Sequence, residues 1–127
     1  MLIQIDNASL RPVYQQIVDH IKREVALRRL KIGEKLPTVR ELASELVINP
    51  NTIGKAYRQL EQEGIITTRP GAGAFIAELT NNLSDAVRER MLTQQLELMI
   101  VDAAHMRIDR KTITKWFEKT LKQFNIE

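Results

Sequence analysis

Leu36-Pro-Thr-Val-Arg-Glu-Leu-Ala43 and, shortly after it, Asn49-Pro-Asn-Thr-Ile53 are the two segments that decide the fold of this chain. Each contains a helix start signal. Thr38 has Glu41 three residues later, which is a capping box, and Asn49 precedes a proline at the first helical position. Apolar residues then recur at helical spacing along one face of the second helix: Ile53, Ala56, Tyr57 and Leu60. The sequence therefore predicts two short helices joined by a tight turn.

A hairpin is predicted directly after these helices. Gly64 is placed to end the second helix, and Ile65 to Thr68 has the composition of a strand. Arg69-Pro-Gly-Ala-Gly73 then predicts a turn before a returning strand over residues 74–77. This order predicts a winged helix-turn-helix, a mainly α (α+β) fold with a small β-hairpin wing, followed by about two C-terminal helices.

The segment before the motif predicts two further elements. Leu2 to Ile5 alternates apolar and polar residues, as a short strand does. A helix is expected to start at Arg11-Pro12 and to run through a basic last turn (Arg28, Arg29, Lys31) until Gly33 stops it.

The region after the hairpin predicts a separate helical part. Thr80 to Asn82 is a polar break, which divides the chain into a winged helix-turn-helix DNA-binding domain (1–78) and a helical dimerisation region (79–127). A long helix is predicted from about Leu83 to Met106, with Leu96–Ala104 apolar on nearly every side, and Asp109 is placed to cap a last helix.

These two helices carry more apolar surface than one small domain can bury, which favours burial between two copies of the chain. The alternative is that both helices pack on their own winged domain. The predicted dimer interface consists of Leu92, Leu96, Met99, Ile100, Ala103, Ile113, Trp116, Phe117 and Leu121.

Composition limits the classes of function. The 127 residues include no cysteine and two histidines, so disulfides, thiolate catalysis and cysteine-based metal sites are excluded, and no cofactor is expected. No nucleophile–base pair, carboxylate dyad or phosphate loop is visible, so the chain is not expected to be an enzyme. Without a signal peptide or a long apolar run, a cytoplasmic location is expected. The net charge of +3 is too small to indicate a nucleic-acid partner, so the placement of charge must do so.

The motif itself predicts binding to double-stranded DNA. The second helix of a helix-turn-helix enters the major groove, where asparagine can pair with adenine and arginine with guanine. The backbone N–H groups at the start of that helix can hold a phosphate, and a Gly-rich wing tip suits a minor groove. The candidate contacts are Thr38, Arg40, Asn49, Asn51, Thr52, Lys55, Arg58, Arg69, Gly71, Ala72 and Gly73.

Several of these residues have a second interpretation. Asn49 can serve as a helix cap alone, Arg58 as a solvated charge, and the two wing glycines as turn formers. Lys55 and Arg40 can instead pair with nearby acids such as Glu45. The outward row of the second helix (Asn51, Lys55, Arg58) contains no acid, which argues against a role as a protein-binding adaptor without DNA.

Gly54 is out of place in a helix. Glycine inside a helix costs about 1 kcal/mol relative to alanine. Close approach to DNA and simple tolerance of a poor helix former explain it equally well.

These motifs resemble the GntR family of bacterial transcription regulators over about Pro12 to Ile76. Besides the two opening segments, the resemblance rests on Ala56-Tyr-Arg-Gln-Leu-Glu-Gln-Glu-Gly64 and on Arg69-Pro-Gly-Ala-Gly-Ala-Phe75. It implies DNA contacts by Arg40, by the start of the recognition helix and by the wing tip around Gly71.

Two departures limit what the resemblance implies. Many family members carry arginines at the positions of Pro50 and Gly54, so base contacts by those arginines cannot be transferred. The Asn-Pro-Asn-Thr form and the short C-terminal region are similar to the YtrA-like branch of the family.

The likeness to that branch implies a homodimeric repressor of a palindromic operator, often that of its own operon, commonly with ABC-transporter genes. A small-molecule effector could bind where the apolar C-terminal helices meet the winged helix, with Met91, Met99, Met106 and Trp116 as its lining, although plain core and dimer packing explains these residues better.

Overall fold

The computed structural model describes residues 2–78 and 83–126 and divides the chain into two units, Met1–Leu79 and Thr80–Glu127. The predicted break at Thr80 to Asn82 lies outside the described residues. The elements in chain order are α1 (Val13–Ala26), α2 (Val39–Leu46), α3 (Pro50–Gln62), β1 (Ile66–Arg69), β2 (Gly73–Ile76), α4 (Asp85–His105) and α5 (Arg110–Gln123). The predicted winged helix-turn-helix with C-terminal helices is confirmed.

The core of the first unit forms around α3. Both α1 and α2 pack against α3, and α3 also contacts β1. The predicted apolar face of α3 is buried, with Ile53 and Leu60 completely inaccessible to solvent. Burial of one such side chain stabilises the fold by roughly 1.5–3 kcal/mol. The same core takes Ile17, Val18 and Ile21 from α1 and Leu42 from α2.

The wing is an antiparallel pair supported by a third extended segment. β1 and β2 pair from Ile66 opposite Ile76 to Arg69 opposite Gly73. Residues 33–36 run along the other side of β2, where Gly33 N–H donates to Ile76 O at 2.8 Å and Leu36 N–H donates to Ala74 O at 2.9 Å. The segment that leads into α2 is therefore fixed to the wing.

Two predictions for the N-terminal segment are wrong. Leu2 to Ile5 forms no strand; its alternation reflects the burial of Ile3 in the core, and the chain is held instead by Gln16, whose side chain bonds to both backbone groups of Asp6. Helix α1 is shorter than predicted, because Arg28 takes a left-handed conformation (φ 60°) that ends it. The basic residues 28, 29 and 31 consequently lie beyond the helix.

The five helices of the described ranges all end in the same way. One residue in the left-handed region donates its N–H to the carbonyl three residues before it, and the next N–H donates to the carbonyl five residues before its own position. At the end of α2, Val47 has φ 56°, and the next N–H, that of Ile48, donates to Ala43 O at 2.9 Å. Of these helices, only α3 uses a glycine, Gly64, at this position. A β-branched residue there is unusual, because its Cβ substituents crowd the backbone.

The second unit consists of α4 and α5, each with a side-chain cap; the Asp109 cap was predicted, and the Ser84 cap was not. The Ser84 hydroxyl accepts from Val87 N–H at 3.3 Å, and the Asp109 carboxylate accepts from Thr112 N–H at 2.8 Å. The hydrogen bond from Thr112 lowers the pKa of Asp109. Neither helix contains a buried residue. Among the described residues, no helix combines the length and apolar content that a membrane crossing requires.

Candidate nucleic-acid interface

The start of α2 presents Thr38 and Arg40 at the surface. The Thr38 hydroxyl accepts from Glu41 N–H at 3.1 Å, which fixes the first turn of the helix. Arg40 is exposed, and within the described residues no salt bridge joins it to an acid, so the alternative pairing with Glu45 is not seen. Its guanidinium remains available to a partner outside the chain.

Tyr57 connects α3 to the segment that precedes α2. Its hydroxyl donates to Pro37 O at 2.7 Å, while its ring lies in the core. Burial, with a contribution from the charges of Glu41 and Glu45, raises the pKa of Tyr57 well above its usual range, so the hydroxyl stays a donor. This bond holds the cap of α2 at a fixed place relative to α3.

The start of α3 is capped by its own chain. The Asn49 side-chain oxygen accepts from Asn51 N–H at 2.8 Å, and Asn49 O accepts from both Thr52 N–H (3.0 Å) and Ile53 N–H (3.4 Å). Since Pro50 has no N–H, no backbone donor of this turn is free. Each N–H group of this turn thus already has an acceptor on Asn49, and the phosphate contact stays a prediction.

The capping bond also separates the roles of the two asparagines. One carbonyl lone pair of the Asn49 amide is taken up by the cap, whereas the described residues make no hydrogen bond to the Asn51 side chain. Asn51 is exposed and Thr52 half-buried at its side. Asn51 consequently has the amide better suited to a bidentate pair with adenine.

Lys55 and Arg58 continue the exposed face of α3. The Lys55 ammonium lies 4.0 Å from the centroid of the Tyr14 ring, so a cation–π contact, rather than an acid, holds it. The Arg58 guanidinium is turned back along the helix toward Gly54, where an ideal β-carbon would lie 3.3 Å from Nη1.

The wing places a third group of candidates together. The Arg69 guanidinium stacks 4.2 Å from the centroid of the Phe75 ring. Gly71 (φ 76°) and Gly73 (φ 117°) both have backbone conformations that favour glycine, and Ala72 N–H donates to Arg69 O at 3.0 Å to close the turn. The geometry of the turn thus accounts for both glycines, and Ala72 is exposed at the tip.

Lys35 is a candidate that no sequence motif revealed. Lys35 forms an isolated antiparallel β-bridge with Phe75 on the open edge of β2. The Cε of Lys35 lies 2.9 Å from the position that a Cβ on Gly73 would occupy. The ammonium therefore stands beside the wing tip, close to Arg69, the strand partner of Gly73. Lys35 reaches this place because residues 33–36 pair with β2. The two segments are far apart in the sequence, so no local motif could have revealed this residue.

The basic side chains of this surface make no salt bridges within the described residues. The four salt bridges of the described residues are Arg11–Asp19, Lys22–Glu63, Arg29–Glu24 and Arg88–Asp85. None involves the five cations that flank the start of α2, the exposed face of α3 and the wing, namely Lys35, Arg40, Lys55, Arg58 and Arg69. These five cations therefore have no ion-pair partner among the described residues. In the described part of the chain, no group of three potential ligands could hold a metal.

In the second unit, every predicted interface residue is exposed or half-buried. Leu92, Leu96, Met99 and Ala103 follow one another at alternating spacings of four and three residues and so share one face of α4. A groove of about 460 Å³ runs between this face and α5, lined by Met99, Ala103, Met106, Ile113, Trp116 and Phe117 among others. Three of the four residues named for an effector lie here; Met91 is not among its lining.

Comparison with known proteins matches residues 13–76 to the model of the family described as "Bacterial regulatory proteins, gntR family". The chain is 38% identical to the HTH-type transcriptional repressor YtrA of Bacillus subtilis over 118 residues, which cover 93% of this chain and 91% of the relative.

Two solved structures are similar over most of the chain. One is a protein of Listeria monocytogenes EGD-e described as a transcriptional antiterminator, with TM-score 0.86, 34% identity, and coverage of 100% of this chain and 94% of the other. The other is YtrA of Sulfolobus acidocaldarius, a GntR-family transcription factor, with TM-score 0.64, 33% identity, and coverage of 83% and 99%.

Proposed function

The chain belongs to the GntR family of bacterial regulatory proteins and is a YtrA-like, DNA-binding transcription regulator rather than an enzyme; from that premise we propose that it is a homodimeric repressor of a palindromic operator. The observation that carries the proposal is the combination of five cations without ion pairs on the winged unit and, in the described residues, a helical unit that has no buried residue.

DNA engagement is assigned to three parts of the winged unit. Helix α3 enters the major groove with its exposed face, and the wing tip lies against the adjacent minor groove. Arg40 and Thr38 meet the DNA from the start of α2. Lys35 joins Arg69 as a phosphate contact beside the wing. The remaining contacts are those predicted from the sequence: Asn49, Asn51, Thr52, Lys55, Arg58, Gly71, Ala72 and Gly73.

Dimerisation is assigned to α4 and α5. Leu92, Leu98 and Met106 are more than 60% exposed, and Trp116 and Phe117 are about half exposed. Large apolar side chains exposed in this number mark an interaction site. The face of α4 with four–three spacing is typical of helix–helix packing, and a second copy of the same chain supplies the matching face.

A twofold dimer explains the expected operator. Two recognition helices related by twofold symmetry contact half-sites about one helical turn, roughly 34 Å, apart on the same side of the DNA. The function proposed for the complex is repression of the protein's own operon, with ABC-transporter genes among the targets.

The proposal is tested by fluorescence anisotropy with the duplex upstream of the protein's own gene and a scrambled duplex, across a salt series. We expect a preference of about 10³-fold or more for the native duplex. Equal, steeply salt-dependent binding to both would contradict sequence-specific autoregulation.

The dimer is tested by light scattering. The wild-type chain is expected at twice its 14.6 kDa mass, and Leu96→Asp and Ile100→Asp at the single-chain mass. Glu97→Gln, on the same helix but off the apolar face, is the matched control and should remain dimeric. A wild-type protein that stays at the single-chain mass at micromolar concentration would refute the dimer.

A further inference from the structure

Gly54 has no conformational reason to be glycine. It is the fifth residue of α3 and is not among the glycines with positive φ. Alanine would therefore fit the same backbone and would be the better helix former. The fold gains nothing from the missing side chain, which directs attention to the group that occupies the space beside Gly54.

A single side chain occupies that space. An ideal β-carbon at Gly54 would lie 3.3 Å from Nη1 of Arg58, and no other atom is within 4 Å apart from the helix's own backbone and chain neighbours. That separation is tighter than nine in ten real Cβ contacts, so the guanidinium would have to shift by a few tenths of an ångström. Glycine thus leaves Arg58 in this orientation without a displacement.

The direction in which Arg58 lies is what matters for recognition. With a rise of 1.5 Å per residue, a side chain folded back over the fourth residue before it delivers its charge about 6 Å nearer the helix start than its own Cα. That is the end of a recognition helix that meets the base edges. There the guanidinium stands on the same exposed face as Asn51 and Lys55.

The guanidinium is also free to bind. Within the part of the chain that the structure describes, it makes no salt bridge and no hydrogen bond. A phosphate contact needs only charge, which a flexible side chain supplies. A side chain given space to lie in one orientation matches the directional requirement of a bidentate pair with guanine O6 and N7.

We propose that Arg58 determines sequence specificity by pairing with a guanine in the major groove, and that Gly54 is the positioning residue that makes room for it. This inference rests on the proposed operator binding and deepens it. It also explains how a recognition helix with glycine at this position can still present a guanidinium at its N-terminal half.

The test is a double-mutant cycle on DNA selected by the full-length protein from a pool of random-sequence duplexes. We expect Gly54→Ala and Arg58→Ala each to weaken binding to the selected duplex by about tenfold or more, as loss of one bidentate base contact does. Gly54→Ala in the Arg58→Ala background should change the affinity less than twofold. Circular dichroism should show Gly54→Ala at least as helical as the wild type, which excludes misfolding.

A base substitution identifies the contact directly. Replacing guanines of the selected duplex one at a time by 7-deazaguanine removes the N7 acceptor. At one position, this replacement should weaken binding by the wild-type protein and leave the affinity of Arg58→Ala unchanged. Gln62→Ala, on the same exposed row at the far end of α3, is the control and should bind as the wild type does.

Three outcomes would overturn the inference. The first is that Gly54→Ala leaves the affinity unchanged. The second is that Gly54→Ala weakens binding by the same factor in the Arg58→Ala background. That result would mean that the DNA backbone itself approaches Gly54. The third is that Arg58→Ala weakens binding to a scrambled duplex equally, which would mean a phosphate contact. A wild-type protein that selects no preferred duplex would instead refute the operator binding on which the inference rests.

Discussion

Replacement of Val47 by glycine should stabilise the winged unit. Val47 ends α2 with φ 56°, a conformation that costs an L-residue roughly 1–2 kcal/mol, and a β-branched side chain stands at the upper end of that range. Glycine adopts this conformation without strain. Since the Val47 side chain is 90% exposed, its removal sacrifices almost no burial.

The opposing term comes from the unfolded chain. Glycine has more unfolded conformations to lose, which costs roughly 0.4–1 kcal/mol. The difference leaves a gain in unfolding free energy of about 1 kcal/mol, which raises the melting temperature of a domain of this size by about 4–8 °C.

The assay is thermal unfolding followed by far-ultraviolet circular dichroism, at one fixed concentration of the full-length protein. Val47→Ala keeps the Cβ but removes the branch, so its melting temperature should rise less than that of Val47→Gly. Arg28→Gly probes the same position at the end of α1, where the native residue is unbranched at Cβ, and should also gain less. A melting temperature of Val47→Gly at or below that of the wild type would refute the reasoning about strain.

Three further substitutions test individual bonds and charges. Tyr57→Phe removes the donor to Pro37 O and should destabilise the chain by about 1 kcal/mol in urea unfolding; an unchanged midpoint would mean that the bond contributes nothing. Thr38→Ala removes the acceptor for Glu41 N–H and should cost about 1 kcal/mol, a loss that Thr38→Ser should largely avoid. Burial lowers the pKa of His20, so the unfolded chain binds its proton first and stability should fall as the pH drops below about 6.5. His20→Gln should remove this contribution to the loss of stability at low pH. A pH profile of stability identical to that of the wild type would contradict the role of His20.

The sequence predicted those elements whose signals are local. Thr38, Asn49 and Asp109 lie at helix starts and accept from backbone N–H groups two or three residues ahead, as their residue types indicate. The buried face of α3 followed from helical periodicity alone. In each case the determining contact lies within one or two turns of the residue, which is the range over which a sequence pattern carries information.

The features that escaped prediction depend on longer-range or unusual geometry. Lys35 reaches the wing only because residues 33–36 pair with β2, about forty positions later in the chain. The end of α1 was misplaced because Arg28, not Gly33, takes the left-handed conformation. Leu2 to Ile5 offered too short an alternation to distinguish a strand from a single buried isoleucine.

The helical unit without a buried residue has a consequence for the amount of protein in the cell. A unit that acquires its core only by pairing is stabilised by mass action, so its folded fraction rises with the concentration of the chain itself. Under the proposed dimer, newly made copies at low abundance are single chains with one recognition helix each. Operator occupancy would then increase more steeply than the first power of protein concentration, and a regulator of its own operon would respond to its own abundance with a threshold.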